Sequence, residues 1–427
     1  MIVTDRTLAP LGDEVKAFFE LDYRLVSDPY PLYARLRQEA PVFRHVDKVL
    51  FSRYEDVRAL LSSPKVLQGL AVRGTRYRTA AEQAREMERV RLAEMFGFLE
   101  KRLGGTNGAH HVRLRKLAQR AFTPRMVAQM EQRIVAIADD LIGPVPRDEP
   151  IELIDAYAFQ LPLIVISEML DISTEDRDKL RLWANSLGKF VGADWRDADV
   201  IAEAHKSVFN LRTYLTGVFD ERRGGPTTDL LRALITAEGD GGDKFTEDEL
   251  VAMITQFVFA GHETSTMFLG NALVALLGRF RDQWDLLCQD DGTLTTAAVD
   301  ELLRYDSPSH NIDKLAGEDL VIGGVEIAQW DTINLMIASA NRDPEVYENP
   351  DAIDFTRSGP PHLSFGRGPH HCLGAALARL EAQVSLQMLA RRFPQMRLAT
   401  DTVLWRSTHM NRGPEVLPVI LGPERAA

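Results

Sequence analysis

Cysteine is nearly missing from this chain: Cys288 and Cys372 are the two among 427 residues. At most one disulfide can form, which excludes a disulfide-built scaffold and makes a reducing, cytoplasmic setting the expectation. Long apolar runs are missing as well. None reaches the ~18 residues that a membrane-spanning helix needs, so no membrane association is expected. Positive charge is not in surplus: 50 Lys+Arg against 62 Asp+Glu leave a net charge of −12. That balance argues against a nucleic-acid binder or a polybasic membrane-surface protein. The opening residues, MIVTDRTLAPLGDEVKAFFELDY, lack the basic-then-apolar layout of a secretory leader. Repeats, low-complexity tracts and a flexible interdomain linker are also lacking. What remains is ordinary globular usage, 45% hydrophobic and 26% charged.

Length alone suggests two or three domains at ~150 residues each. The patterning instead points to one large domain over residues 1–427, mainly α with a small β part. Apolar residues recur at three- and four-residue steps over Pro29–Glu39, Arg113–Phe122, Arg125–Ile142 and Ile201–Arg222. Val42–Ser52 reads as a hairpin turning at Asp47-Lys48, and Leu320–Ile327 as a second around Gly323-Gly324. A further strand pair is expected in Val403–Leu421. Thr246-x-x-Glu249 forms a capping-box pattern, and apolar residues then run to about Leu277. This predicts a buried helix of ~30 residues, roughly 45–50 Å long. Its middle, Ala260-Gly261-His262-Glu263-Thr264-Ser265-Thr266, breaks the apolar pattern. Burying that acid and those hydroxyls is costly unless each finds a partner, so the break marks a candidate site within an otherwise consistent element.

The segment Pro361–Arg379 is the second irregularity. Glycines at 366, 368 and 374 precede a strongly helical run, placing Cys372 at a loop-to-helix junction. Amides and the helix dipole there are expected to favour a thiolate. The bland alternative, a small buried hydrophobe, suits Cys288. A nucleophilic Cys372 needs a His base, and His370 and His371 adjoin it, so that reading stays open. Zinc needs more ligands, and there is no CxxC or HExxH. A single thiolate beside glycines and a buried helical core fits haem iron better.

Phe365-Gly366-x-Gly368-x-His370-x-Cys372-Leu373-Gly374 resembles the haem-binding loop of the cytochromes P-450, the haem-thiolate monooxygenases. Ala260-Gly261-x-Glu263-Thr264-Ser265 is similar to the family's oxygen-activation motif. Glu301-Leu302-Leu303-Arg304 is similar to its Glu-x-x-Arg motif. Asn341-Arg342-Asp343-Pro344, His111-x-x-x-Arg115 and Ala121-Phe122-Thr123-Pro124 match the soluble bacterial branch. The motifs stand in family order and the resemblance covers about 25–420.

The resemblance implies the P-450 fold, with the long central helix over a haem b and Cys372 as its iron ligand from beneath. Thiolate donation favours O–O cleavage. Phe365, Gly366 and Gly374 would border the haem on the cysteine side. Ala260 and Gly261 would lie beside the ring, leaving room for dioxygen and substrate. Glu263 and Thr264 would handle protons. His111, Arg115 and His370 would hold the haem propionates together with Lys314, where the family usually has arginine. Lysine keeps the charge and loses the bidentate fork. Glu301 and Arg304 would lock the core behind the cysteine loop. The family's third partner falls at the position that counts to Ala352, so that triad is expected to be incomplete.

The resemblance further implies a monomer oxidising a small organic molecule of secondary metabolism. Electrons would come from NAD(P)H through a ferredoxin reductase and a ferredoxin. Arg113, Lys116 and Arg120 share one helix face that would steer an acidic ferredoxin. Candidate pocket segments are 65–105, 165–195, Phe257–Ala260, Ser309–Ile312 and Thr408–Met410. Phe257, Ser309, His310, Asn311 and Ile312 are the named candidates. With Arg73, Arg76 and Arg78 they suggest a substrate with polar or acidic groups. Two other readings are weighed. One is a haem-thiolate protein without turnover, which intact Glu263-Thr264 disfavours. The other is a Cys/His hydrolase or transferase.

Overall fold

The structure is a computed structural model that describes residues 9–46, 48–69, 75–192, 197–222, 230–289 and 295–425. Helices dominate, and four small sheets lie among them. The expected long helix is there, Glu247–Leu277, 31 residues without a break. Its N-terminus is capped as its sequence predicts: Glu249 N donates to Thr246 Oγ1 (3.3 Å) and Thr246 N donates to Glu249 Oε2 (2.9 Å). Apolar residues on most of its circumference bury it in the largest core, with Trp284, Leu386 and Phe393 from neighbouring helices. The polar middle does not distort it. Thr264 and Thr266 each donate a hydroxyl to the carbonyl one turn back, at 2.8 Å.

The largest sheet has five strands in the order 42–45, 48–51, 332–335, 312–316, 66–67. All its pairs are antiparallel except 48–51 with 332–335. The first hairpin turns one residue earlier than the spacing suggests. His45 pairs with Lys48, so Lys48 belongs to a strand. The 320–327 hairpin turns at Gly323 and Gly324 as expected, both with positive φ (59° and 78°), a backbone that glycine adopts without strain. At the C-terminal end, Leu404–Trp405 pairs with Pro414–Val416, and Pro418–Ile420 joins a three-stranded sheet. The stretch expected as one helix over 125–142 is two, Pro124–Gln129 and Glu131–Ile142.

Among the described residues no helix is long and apolar enough to cross a membrane. The central helix, the cysteine loop and the strand at 312–316 surround one interior cavity.

Candidate functional site

The cysteine loop is built by turns that glycine permits. Gly366 and Gly368 have φ of +67° and +70°. A Cβ on Gly368 would lie 2.9 Å from Ser62 Cα, so the loop packs on the helix Tyr54–Ser62 at a point that admits no side chain. Cys372 N donates to Phe365 O (2.9 Å), which folds the loop back on itself before the helix Ala375–Arg392 begins. Cys372 is accessible, and the space it meets is the cavity, which it lines with Phe365, Gly366, His370 and Gly374.

Burial pushes the Cys372 thiol above its ordinary pKa; the Gly374 amide, Arg115 and Arg379 pull the other way and do not win. The loop and helix alone therefore do not make the thiolate that the junction suggested. Charge on this sulfur needs a stronger partner, as a metal would be.

The cavity holds about 350 Å³. Ala260, Gly261, Thr264 and Ser265 of the central helix line it, as do Phe257, Ser309 and Ile312. Gly261 meets Ile166 of the helix Gln160–Met169, where a Cβ would come to 3.5 Å, an ordinary contact. Two segments join over the cavity through side-chain amides. Gly104 N donates to Gln256 Oε1 (2.9 Å) and Gln68 N to Asn107 Oδ1 (2.9 Å). Gln68, Gln256, Leu103 and Phe268 line the cavity and no motif drew attention to them.

At one end of the cavity His111, Arg115, Lys314 and His370 converge. The two imidazoles lie 4.1 Å apart, centre to centre. Arg115 donates to His371 O (2.7 Å), and His111 Nε2 is buried without a partner. No carboxylate joins them among the described residues. Burial pulls Lys314 down to about 8 and His370 down to about 3, the latter helped by His111, Lys314 and Arg115. Arg115 and Lys314, lowered by burial, and two imidazoles that burial and these cations hold neutral would gain from an incoming pair of carboxylates, so this end fits the propionates of a haem. With a sulfur beneath and a largely apolar wall, the residues present fit the group.

Four sequence expectations change. His310 and Asn311 do not line the cavity. Both side chains join a buried cluster instead, where His310 Nδ1 meets Tyr33 Oη (3.1 Å), His310 Nε2 meets Asp306 Oδ1 (3.3 Å) and Asn311 donates to His409 O. Glu263 does not line the cavity either. Its Oε1 accepts from Arg406 (2.9 Å), both side chains about one-third exposed. The Glu-x-x-Arg triad is complete. Arg304 forks onto Glu301 (2.7 and 2.9 Å), and the third partner is Arg357, whose Nε reaches both Glu301 oxygens (3.0 and 3.1 Å). Ala352 contributes its carbonyl to Arg304 (2.8 Å). The fourth concerns the basic face. Arg113 pairs with Asp243 (3.0 Å) and Glu249, and Lys116 and Arg120 pair at the surface with Asp240 (3.8 and 3.0 Å), so acids of the chain's own 238–249 segment offset its charge. The side chains of Arg73, Arg76 and Arg78 lie outside the described residues. Thr408–Met410 does not line the cavity.

A family model described as Cytochrome P450 matches residues 166–283 and 278–397. Cytochrome P450 107B1 of Saccharopolyspora erythraea is 37% identical over 95% of this chain and 98% of its own. The vitamin D(3) 25-hydroxylase of Pseudonocardia autotrophica is 35% identical over 93% of this chain and 95% of its own. Among solved structures, P450BioI in complex with an acyl carrier protein carrying hexadec-9Z-enoic acid superposes with a TM-score of 0.82. It is 31% identical and covers 93% of this chain and 99% of that one.

Proposed function

The chain belongs to the cytochrome P450 family, and from that premise we propose that Cys372 ligates the iron of a haem b in the cavity and that residues 1–427 act as one monomeric catalytic unit. Membership makes it a monooxygenase that uses haem iron, dioxygen and a small-molecule substrate. The observation that carries the assignment is the cysteine loop. It presents Cys372 to a cavity whose wall includes Thr264 and whose end gathers Arg115, Lys314 and two imidazoles, with no acid beside them among the described residues.

When bound, the haem iron supplies the activation of dioxygen, with one atom going to substrate and the other to water. The chain's own residues do the rest. His111, Arg115, Lys314 and His370 would hold the propionates, Arg115 with its several guanidinium donors and Lys314 as a point charge. The Gly374 amide hydrogen-bonds the sulfur and moderates its donation. Phe365 and Gly366 would border the ring from the sulfur side, and Ala260 and Gly261, with little or no side chain, would let the central helix lie close to it. Thr264 Oγ1, anchored on Ala260 O, holds a proton at the cavity surface. Glu263 carries protons to Thr264 only when it leaves Arg406, so that ion pair gates the route.

Electrons come from NAD(P)H through a ferredoxin reductase and a ferredoxin, in a cytoplasmic setting. Relatives named for vitamin D(3) hydroxylation, polyketide biosynthesis and 6-deoxyerythronolide B hydroxylation support a bulky, mostly apolar secondary metabolite. The cavity wall agrees: Leu103, Ile166, Phe257 and Phe268 are apolar, with Gln68, Gln256 and Ser309 as polar exceptions.

Cys372→Ala should abolish the thiolate-type spectrum of the reduced carbonyl complex; a retained spectrum refutes the ligand assignment. A Cys/His hydrolase would need an imidazole on the sulfur. The groups that act on Cys372 are the Gly374 amide, Arg115 and Arg379. Spectral titration with a compound library then identifies the substrate by the spin-state change.

A further inference from the structure

We infer that Gln256 selects and orients the substrate by donating a hydrogen bond to a neutral carbonyl oxygen on it. The inference deepens the monooxygenase reading above and rests on it.

Gln256 lies on the central helix and lines the cavity, one turn before Ala260. Its amide cannot be turned around. Gly104 N donates to Oε1 (2.9 Å), and a flipped amide would set its own N–H groups against that backbone donor. Gly104 also leaves the amide its place, since a Cβ there would stand 3.0 Å from Nε2. The loop that supplies Gly104 is itself pinned. Asn107 Oδ1 accepts from Gln68 N (2.9 Å), and Gly69 packs on the Gly105 backbone with no space for a side chain. Nε2 has no partner among the described residues and is not walled in, so its hydrogens are offered to the cavity. The hydroxyls of the wall already donate within the protein. Thr264 donates to Ala260 O (2.8 Å), Ser265 to Glu381 (2.8 Å) and Ser364 to Leu303 O (2.8 Å), and Ser309 is turned toward Asn411 Oδ1 (3.5 Å). Each meets a ligand mainly as an acceptor. Gln68 lines the cavity too, but no hydrogen bond among the described residues fixes its side chain, so it can present either end. Gln256 is the neutral side chain that joins a free donor to a fixed orientation.

The surroundings define the ligand. Leu103, Phe257 and Phe268 supply apolar wall, in which a single oriented amide sets how a molecule lies. The cations that line the cavity are Arg115, Lys314 and Arg367, and none comes from the segments that meet at Gln256. A carboxylate would lose water there without gaining a counter-charge, whereas a ketone, ester or lactone carbonyl needs only a donor. Thr264 stands about two turns further along the same helix, roughly 12 Å away along its axis. The carbonyl end of the substrate is thereby held back, and its opposite end faces the oxygen-activating residues. A molecule without that oxygen leaves the amide unpaired in an apolar wall, and this is how the site rejects it.

The test uses the purified ferric holoenzyme and three volatile probes of one ring size, cyclododecanone, cyclododecanol and cyclododecane, with binding read by headspace partitioning. In Gln256→Met the ketone and the alcohol should each lose about tenfold in affinity relative to the hydrocarbon, the effect of one hydrogen bond. Gln256→Glu at about pH 9, well above the ordinary carboxyl range, keeps an acceptor for Gly104 N and turns a carboxylate to the cavity. There the ketone should lose at least as much, while the alcohol, which can donate, should keep its affinity. An unchanged ketone-to-hydrocarbon ratio in Gln256→Met overturns the proposal. So does an equal loss for all three probes, which would make Gln256 only a fastening for the 103–107 loop. Headspace partitioning does not depend on the iron. A protein without the thiolate-type spectrum that still prefers the ketone through Gln256 therefore ends the haem assignment and leaves the donor assignment standing.

Discussion

Two clusters of polar side chains among the described residues, one buried around Glu301 and one around the buried Lys314, differ in one respect. Glu301, Arg304 and Arg357 form a closed set. The acid accepts from both guanidinium groups, and the remaining donors reach Asn341, Pro350 and Ala352 carbonyls. His111, Arg115, Lys314 and His370 form an open one: Arg115 and Lys314 supply positive charge, both imidazoles are held neutral, and no acid joins them among the described residues. A closed set is architecture, since its energy is already realised. An open set is a binding site, since its energy is realised when something of opposite charge arrives. Burial alone does not separate the two; the balance of charge does.

The comparison breaks if the closed set proves dispensable. Arg304→Ala leaves Glu301 buried and under-paired, which should cost about 3–5 kcal/mol and yield little folded protein. Near-wild-type unfolding in urea would show that the pair is not structural. For the open set, haem-free protein should grow more stable as pH rises. Lys314 is pulled below its ordinary value to about 8, so between that pH and the ordinary lysine value the unfolded chain binds the extra proton. Stability should increase across that window by on the order of 3 kcal/mol. Lys314→Met should flatten that dependence and weaken haem retention; a slope unchanged in the variant removes Lys314 from the argument. A smaller effect is expected at Arg357. Its substitution by Ala should cost about 1.5–3 kcal/mol, because Arg304 still holds Glu301. Replacing His310 or Asn311 by Leu should cost about 1–3 kcal/mol of stability while leaving ligand affinity in spectral titrations unchanged. A shifted ligand affinity would bring them back to the cavity. Smallest of all, Asp240→Asn should change stability by under about 1 kcal/mol, since its pairs with Lys116 and Arg120 are solvated.

Local rules read the regular parts of the fold. The capping box placed the start of the central helix at Thr246, and two glycines placed the turn at 323–324, because each signal needs only its immediate neighbours. The cysteine loop was legible for the same reason: its glycines, its thiol and the helix after it are contiguous. Counting failed where the chain is irregular. Arg357 closes the triad although the position that counts to it is Ala352, because the stretch between them turns twice without regular structure. His310 and Asn311 sit between the cavity residues Ser309 and Ile312 in sequence, but both bond instead to the buried cluster of Tyr33, Asp306 and the His409 carbonyl, which no local period signals. Glu381, buried in the helix Ala375–Arg392 and bonded by Ser265 Oγ (2.8 Å) at the cavity wall, gave no signal, since a lone glutamate in a helix reads as a surface residue until its neighbours are known. The basic face of 113–120 had the right spacing, and nothing local announced that Asp240, Asp243 and Glu249 would offset its charge.

Gly368 rests on Ser62 with no space for a methyl group between them. The seat of Cys372 is thereby levelled against a helix from the opposite end of the polypeptide, as a bench is levelled by a single shim. Gly368→Ala should tilt that seat, and trimming Ser62 to glycine at the same time should relieve part of the clash. Redesign of the N-terminal helices is in this sense also adjustment of the thiol's height.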